Sequence, residues 1–119
     1  MSVRWYSVVV DCQDPLAQGR WWAAAIGGKI VYQAPDEVVV VNQDETEPGL
    51  VFVPVPEEKQ LKNRLHIDLA PRSGDDQAAE VERLVGLGAR RVDVGQADAP
   101  WVVLADPEGN EFCVLTARD

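Results

Sequence analysis

The chain has 119 residues, of which 46% are hydrophobic and 26% are charged, as expected for one globular domain. Its twenty acidic and eleven basic residues give a net charge of −9, which disfavours nucleic acids and anionic membranes as partners. Two cysteines far apart in sequence, no apolar run long enough to span a bilayer, and an N-terminus without a signal-peptide pattern indicate free thiols and a cytoplasmic protein.

The first half of the chain predicts one strand, one helix and three further strands. β-Branched and aromatic residues predict the first strand over residues 3–11. Asp14 followed by Pro15 is a typical helix start, and Gly27 and Gly28 end the helix after Ile26. Apolar runs bounded by turn residues then predict three strands, at 29–33, 38–42 and 50–55.

The second half predicts the same order of elements. A strand over residues 65–70 is followed by Ser73 and, three residues later, Asp76, which resemble the capping box at a helix start. The helix carries an apolar stripe and ends at Gly86 and Gly88. Three more strands are predicted at 90–94, 101–105 and 111–116, with the turn D-P-E-G-N joining the last two.

Because both halves have the order βαβββ, the sequence favours an internal duplication. The segments P-G-L-V-F-V at 48–53 and E-G-N-E-F-C at 108–113 can be laid over one another residue by residue. We interpret the chain as a single domain, residues 1–119, with a first module at 1–56 and a second module at 63–119.

Two stretches of the second module carry a family resemblance in combination with this doubled order. The stretch R-L-H-I-D-L at 64–69 places the only histidine, His66, on the first strand of the module, and D-P-E-G-N-E-F-C-V-L at 106–115 closes it. In this combination the chain resembles the vicinal oxygen chelate superfamily and is similar to the small glyoxalase-like proteins, the glyoxalase and bleomycin-resistance group. The resemblance implies an α+β fold in which two βαβββ modules, related by a pseudo-twofold axis, form a cupped eight-stranded mixed sheet with helices on the outside. It also implies a homodimer.

The resemblance further implies where a metal ion would be held. In metal-dependent members, the first and last strands of each module supply the ligands, and the corresponding positions here are Ser7, Val53, His66 and Cys113. Valine cannot coordinate a metal and neutral serine is a poor ligand, so at most two ligands remain. We therefore expect no metal and no other cofactor.

His66 is the candidate catalytic residue. Strand alternation places it on the same face as Arg64 and Asp68, with Leu65 and Ile67 on the opposite face. It is either a structural histidine whose ring nitrogens are satisfied by neighbours, or a hydrogen-bond partner or general acid–base for a bound ligand. Regular strand spacing puts Asp68 about 6 to 7 Å from His66, too far for a direct hydrogen bond, so Asp68 would face a ligand or pair with Arg64.

Six residues are expected to line the cavity and contact a ligand: Trp5, Ser7, Val53, Asp68, Trp101 and Cys113. Aromatic walls suit a planar organic ligand, although either tryptophan could instead fill the core. Cys113 should neighbour His66 if the first and last strands of the module pair, and it is then either a nucleophile or a small buried apolar residue. Of the adjacent Trp21 and Trp22 on the first helix, one is expected to pack on the sheet and the other at a subunit contact.

The sequence thus favours a glyoxalase-like protein with a metal-free cavity that binds a small organic molecule, with or without metal-independent chemistry assisted by His66. Sequestration of a drug, as in bleomycin-resistance proteins, is one form of such binding. Two alternatives remain open. One is a metal-dependent enzyme of the lyase or isomerase type with unusual ligands, and the other is a structural or regulatory domain whose cavity is filled by side chains.

Overall fold

The computed structural model describes residues 2–44 and 48–118 and has the element order βαβββ–βαβββ, which confirms the predicted α+β class and the two repeated modules. The chain divides into two compact units, the first ending at Glu58 and the second beginning at Lys59. The elements are β1 (Ser7–Cys12), α1 (Pro15–Ile26), β2 (Lys29–Ala34), β3 (Glu37–Val41), β4 (Gly49–Pro54), β5 (Ile67–Leu69), α2 (Gln77–Gly86), β6 (Arg90–Arg91), β7 (Val102–Ala105) and β8 (Glu111–Val114). Of the helices within these residues, neither is long and apolar enough to cross a membrane.

The first unit contains a four-stranded sheet in the order β1-β4-β3-β2, in which β1 runs parallel to β4 and the other pairs are antiparallel. Helix α1 contacts β2, β3 and β4. The helix approaches β3 closely because residue 19 is glycine: a Cβ atom there would lie only 2.6 Å from Cγ1 of Val38. The largest buried side chains of this unit belong to Trp21, Trp22, Val38, Val40 and Phe52.

Local signals set the ends of α1 as predicted. The side chain of Asp14 accepts a hydrogen bond from the backbone N–H of Ala17 at 3.1 Å, and Pro15 is the first helical residue. At the other end, Gly27 adopts the left-handed conformation with φ 64°, which a glycine accepts without steric cost.

Two expectations for the first unit are wrong. The first strand begins at Ser7 rather than at residue 3, because pairing with β4 starts where Ser7 lies opposite Gly49, and the preceding residues are exposed. Trp21 and Trp22 are both buried, at 8% and 3% exposure, and their rings contact edge to face with centroids 5.2 Å apart. Neither tryptophan is therefore free to form a subunit contact.

The second unit repeats the topology with the sheet order β5-β8-β7-β6, in which β5 is parallel to β8. Its largest buried side chains belong to Val81, Leu84, Leu104, Phe112 and Val114. The turn between β7 and β8 is held by Asp106, which is 1% exposed and whose Oδ1 accepts hydrogen bonds from the N–H groups of Glu108 and Asn110. The D-P-E-G-N turn is thus built around a buried carboxylate.

Helix α2 begins later than the capping-box pattern predicts. The N-cap is Asp76, whose side chain accepts from the N–H of Ala79 at 2.8 Å, whereas Ser73 lies in the preceding turn and is exposed. Gly74 in that turn has a φ of 90°, so the chain does not enter a helix at this point.

Strands β5 and β6 are also shorter than predicted, with three and two residues. The sequence pattern predicted strands over the whole of 65–70 and 90–94. Only the residues that pair with a neighbouring strand belong to the sheet. Strand β6 stops after Arg91, and the chain then enters the loop that contains Gly95 and Gln96. This loop and the chain before β5 shape the candidate site.

Candidate functional site

A cleft of about 400 Å³ lies within the second unit. Its polar lining includes His66 and Asp68, from the start of β5, and Cys113, from β8. Apolar side chains of the cleft come from the loop after β6, from β7 and its approach, and from the end of β8: Val94, Trp101, Val103 and Leu115. Four of the residues predicted to form the site, namely His66, Asp68, Trp101 and Cys113, are therefore brought together here.

The strand register explains why the three chemically active side chains meet. β5 and β8 pair in parallel with Asp68 opposite Cys113, and His66 lies two residues before Asp68 on the same face. The expected pairing of the first and last strands of the module is therefore confirmed. Donor atoms from His66, Asp68 and Cys113 all lie within 4.8 Å of one another; we call these three residues the cluster.

The predicted distance between His66 and Asp68 is wrong. Nε2 of His66 lies 3.1 Å from Oδ1 of Asp68, which is within hydrogen-bonding distance. The spacing of about 6 to 7 Å separates the backbone positions of residues two apart in a strand, whereas the imidazole ring and the carboxylate extend from the backbone and can approach one another. In the part of the chain that the structure describes, Asp68 contacts His66 and is not paired with Arg64.

The cluster combines an accessible pair with a buried thiol. The side chains of His66 and Asp68 are 47% and 48% exposed, whereas Cys113 is 6% exposed. Burial raises the pKa of Cys113, and the charge of Asp68 and a hydrogen bond from the thiol to that carboxylate raise the pKa further, while the positive charge of Lys62 lowers it. The thiol is therefore held in its protonated form, which argues against Cys113 as an activated nucleophile.

Glu111 anchors the chain that leads into the cluster. Its Oε2 lies 2.8 Å from Nζ of Lys59, and its Oε1 accepts a hydrogen bond from the backbone N–H of Asn63 at 2.8 Å. Burial alone would raise the pKa of Glu111, but the hydrogen bonds from Lys59 and from Asn63 outweigh burial and lower the pKa overall. We call these three residues the clamp. It lies beside the cluster, since Glu111 is two residues before Cys113 on β8.

Sequence reasoning missed the clamp. A run of charged residues such as that at 57–59 usually forms a solvated loop, yet the side chain of Lys59 is only 18% exposed. Its partner Glu111 lies 52 residues away in sequence, so no local pattern could have indicated the pair. Lys62 and Asn63 also line the cleft, and no local sequence pattern indicated this position for them.

The loop after β6 forms another part of the cleft. The side chain of Gln96 donates to the carbonyl of Val92 at 3.2 Å and accepts from the N–H of Val94 at 2.8 Å, which closes the loop on itself. Trp101 follows this loop, lines the cleft as predicted, and is 41% exposed. An indole face is thus accessible within the cleft, while its role in ligand binding stays a prediction.

Three predicted site residues, Trp5, Ser7 and Val53, lie in the first unit and their role stays a prediction. Trp5 precedes β1, is 71% exposed and donates from its ring N–H to the carbonyl of Ser7 at 3.3 Å. In the register of β1 and β4, Ser7 lies opposite Gly49 and Val53 lies opposite Asp11. Ser7 and Val53 are therefore separated by four strand residues, about 13 Å, and do not meet each other as His66 and Cys113 do.

The cluster also corrects the expected number of metal donors. Two donors, His66 and Cys113, were expected from this region, and the structure adds a carboxylate oxygen of Asp68 within 4.8 Å of both. One imidazole nitrogen, one carboxylate oxygen and one sulfur are a donor set that suits a zinc-like ion. The types of donor atom present therefore fit a metal ion.

Comparison with known proteins gives one match to a protein family. The family model described as "Glyoxalase-like domain" matches residues 7–115, which is nearly the whole chain. No curated protein matches the chain in sequence.

Solved structures with the same fold are similar over nearly their full lengths. FosX, a fosfomycin resistance protein from Listeria monocytogenes, gives a TM-score of 0.72 at 14% identity and covers 100% of this chain and 94% of its own. A glyoxalase-related enzyme from Fulvimarina pelagi gives 0.69 at 17% identity, with 93% and 86% covered. A hypothetical protein from S. aureus, SA1046, gives 0.70 at 14% identity, with 98% and 96% covered. At these identities the similarity establishes a shared fold.

Proposed function

Since the chain belongs to the glyoxalase-like domain family of the vicinal oxygen chelate superfamily, we propose that it binds a small organic molecule in the cleft of its second unit. The observation that carries the proposal is the cleft itself, in which His66, Asp68 and Cys113 lie together with the exposed Trp101. A concave site with apolar walls and a few convergent polar groups is the usual form of a small-molecule site.

His66 is the residue that contacts the polar part of the ligand. When Nε2 carries the proton that is shared with Asp68, the other ring nitrogen, Nδ1, is left as a hydrogen-bond acceptor. The Asp68 carboxylate then holds the ring in one orientation. An imidazole held in this way can accept a proton from a bound molecule or return it, which is the metal-independent chemistry that the site allows.

Cys113 contributes packing and polarity in this proposal. Its raised pKa keeps the thiol neutral, and the thiol donates to Asp68. The carboxylate thus accepts from the thiol and lies 3.1 Å from Nε2 of His66, and these contacts stabilise a charge that is only half exposed.

A ligand screen followed by two matched substitutions tests the proposal. Aromatic and dicarbonyl metabolites are screened by intrinsic tryptophan fluorescence, and their affinities are measured by calorimetry. We expect that Trp101→Phe and His66→Gln each weaken binding, whereas Tyr32→Phe, a change at an exposed aromatic residue of the first unit, leaves the affinity within about twofold. Ligands whose affinity is the same in all three variants would locate binding elsewhere and refute the proposal.

Turnover separates an enzyme from a pure binder. If the bound molecule is converted, His66→Gln lowers kcat more than it raises KM, because the lost proton transfer acts in the transition state. If the protein sequesters its ligand, the same substitution changes the affinity alone.

A metal-dependent enzyme is the second candidate function, and the observation that favours it is the cluster. His66, Asp68 and Cys113 would hold the ion, which would supply Lewis-acid chemistry to a ligand in the cleft. We rank it second because binding would replace the contact between His66 and Asp68 and would remove the proton of a thiol whose pKa is raised.

Titration with Co²⁺ and Zn²⁺ decides between the candidates. A thiolate bound to Co²⁺ gives a charge-transfer absorption, so one equivalent of Co²⁺ would produce this band if the cluster is a metal site. The band should then disappear in Cys113→Ser and weaken in His66→Ala and Asp68→Asn. Stoichiometric binding with these losses would replace the metal-free proposal by the second candidate.

A further inference from the structure

The polar side chains of the cleft differ in how many of their hydrogen-bonding atoms are already engaged within the protein. Both carboxylate oxygens of Glu111 are engaged in the clamp, by Lys59 and by the N–H of Asn63. The amide of Gln96 is engaged by the carbonyl of Val92 and the N–H of Val94. Glu111 and Gln96 therefore hold the walls of the cleft in place.

Lys62 is the cationic side chain that lines the cleft, and its ammonium can still donate hydrogen bonds to a ligand. Its ammonium makes a long hydrogen bond of 3.4 Å to the carbonyl of Asn63, and no carboxylate among residues 2–44 and 48–118 is paired with it. Lys62 lines the same cleft as the cluster, and its positive charge lowers the pKa of the Cys113 thiol. An ammonium has three donors, so Lys62 can bind an anionic group of a ligand.

The backbone that carries Lys62 is fixed on both sides. Lys59 precedes it by three residues and Asn63 follows it directly, and both are bound to Glu111 on β8. A ligand therefore meets a segment that is already ordered, and only the flexible side chain of Lys62 has to be immobilised on binding.

The remaining walls suit a flat apolar body. Trp101 exposes 41% of its surface, and Val94, Val103 and Leu115 also line the cleft. An indole face stacks on planar rings and on other extended π systems. The cleft volume of about 400 Å³ is within the range of ordinary small-molecule sites.

We propose that the cleft selects small planar organic acids, whose acid group binds the ammonium of Lys62 while the flat body lies on Trp101. This inference rests on the proposed function, since it names the chemical class of the ligand for the same cleft. The negative charge of Asp68 lies at the cluster, 3.1 Å from Nε2 of His66, so the acid group of the ligand binds at Lys62 and not at the cluster.

Fluorine NMR with matched probe pairs tests the selection of an anion. The probes are fluorinated aromatic acids, such as para-trifluoromethylbenzoate and a fluorinated naphthoate, each titrated beside its primary amide, which has the same shape and no charge. We expect each acid to bind about fivefold or more tightly than its amide, and Lys62→Gln to remove this difference. Lys29→Gln is the matched control, because it makes the same change in net charge in the first unit and should leave the preference unchanged.

The outcomes separate this inference from the proposal on which it rests. If acids and amides bind equally, and both lose affinity in Trp101→Phe, the cleft binds small molecules but does not select anions, and the inference is wrong. If the preference for acids persists in Lys62→Gln, the selecting charge is another residue and the inference is equally wrong. If no probe of either kind binds, the inference is wrong, and the proposed function is then decided separately by the ligand screen described above.

Discussion

Replacing Glu111 by glutamine tests how much the clamp contributes to stability. In the folded protein, the carboxylate accepts from Lys59 and from the N–H of Asn63, both at 2.8 Å, with side chains of Lys59 and Glu111 that are 18% and 16% exposed. Glutamine can keep an acceptor for Asn63, but its amide N–H group, or a neutral oxygen, then faces the ammonium. The substitution therefore mainly removes one partly buried charge-assisted hydrogen bond.

The expected cost is about 2 kcal/mol, because hydrogen bonds to charged groups contribute about 1.5 to 3 kcal/mol and an unpaired partner is left behind. For a chain of 119 residues, an unfolding entropy near 2.1 cal/mol/K per residue makes this a fall in Tm of about 8 °C. The control is Glu82→Gln, which removes an ion pair to Arg91 of similar length, 2.7 Å, but with side chains 71% and 56% exposed. We expect the control to cost less than about 0.5 kcal/mol.

The pH dependence gives a sharper test than the magnitude. Since folding lowers the pKa of Glu111 from 4.5, its stabilisation is fully present above that value and is lost as the pH falls through the lower folded-state pKa. The difference in unfolding free energy between the wild type and Glu111→Gln should therefore be constant from pH 7 down to about pH 5 and shrink below that. Urea unfolding at a series of pH values measures it. A difference that stays the same at low pH, or a loss no larger than that of Glu82→Gln, would refute the reasoning.

Two further predictions concern α2 and the cluster. Asp76→Ala should lower the free energy of unfolding, measured with urea, by about 1 kcal/mol because it removes the N-cap, whereas Ser73→Ala should leave it unchanged. A larger loss in Ser73→Ala than in Asp76→Ala would instead support the capping box predicted from the sequence. Asp68→Asn should lower the pKa of Cys113 and speed its modification by a thiol-reactive disulfide, measured in a Cys12→Ala background; an unchanged or slower rate would contradict the electrostatic role of Asp68.

Features encoded by neighbouring residues were predictable from the sequence. The cap at Asp14, the first residue Pro15 and the left-handed Gly27 define α1 within a few positions, and the doubled order of elements gave the fold class and the family. The pairing of the strands that carry His66 and Cys113 also followed from the family resemblance.

The details of the site depended on tertiary contacts instead. The contact between His66 and Asp68 depends on the orientation of two side chains, which periodicity over residues 65–70 did not indicate. The clamp joins Lys59 to a residue on the last strand, so the sequence offered no signal for it. Trp21 and Trp22 are both buried and their rings are in contact, whereas a helical wheel points adjacent residues in different directions.

The position of the only histidine has a practical consequence for experiments. Its two ring nitrogens give the sole imidazole signals in a nitrogen-15 NMR spectrum of the untagged protein, and these signals come from the cleft. Their chemical shifts report the protonation and tautomer of one known ring without any assignment step. The protein thus has a built-in spectroscopic reporter, which can follow the arrival of an acid, an amide or a metal ion in the same sample.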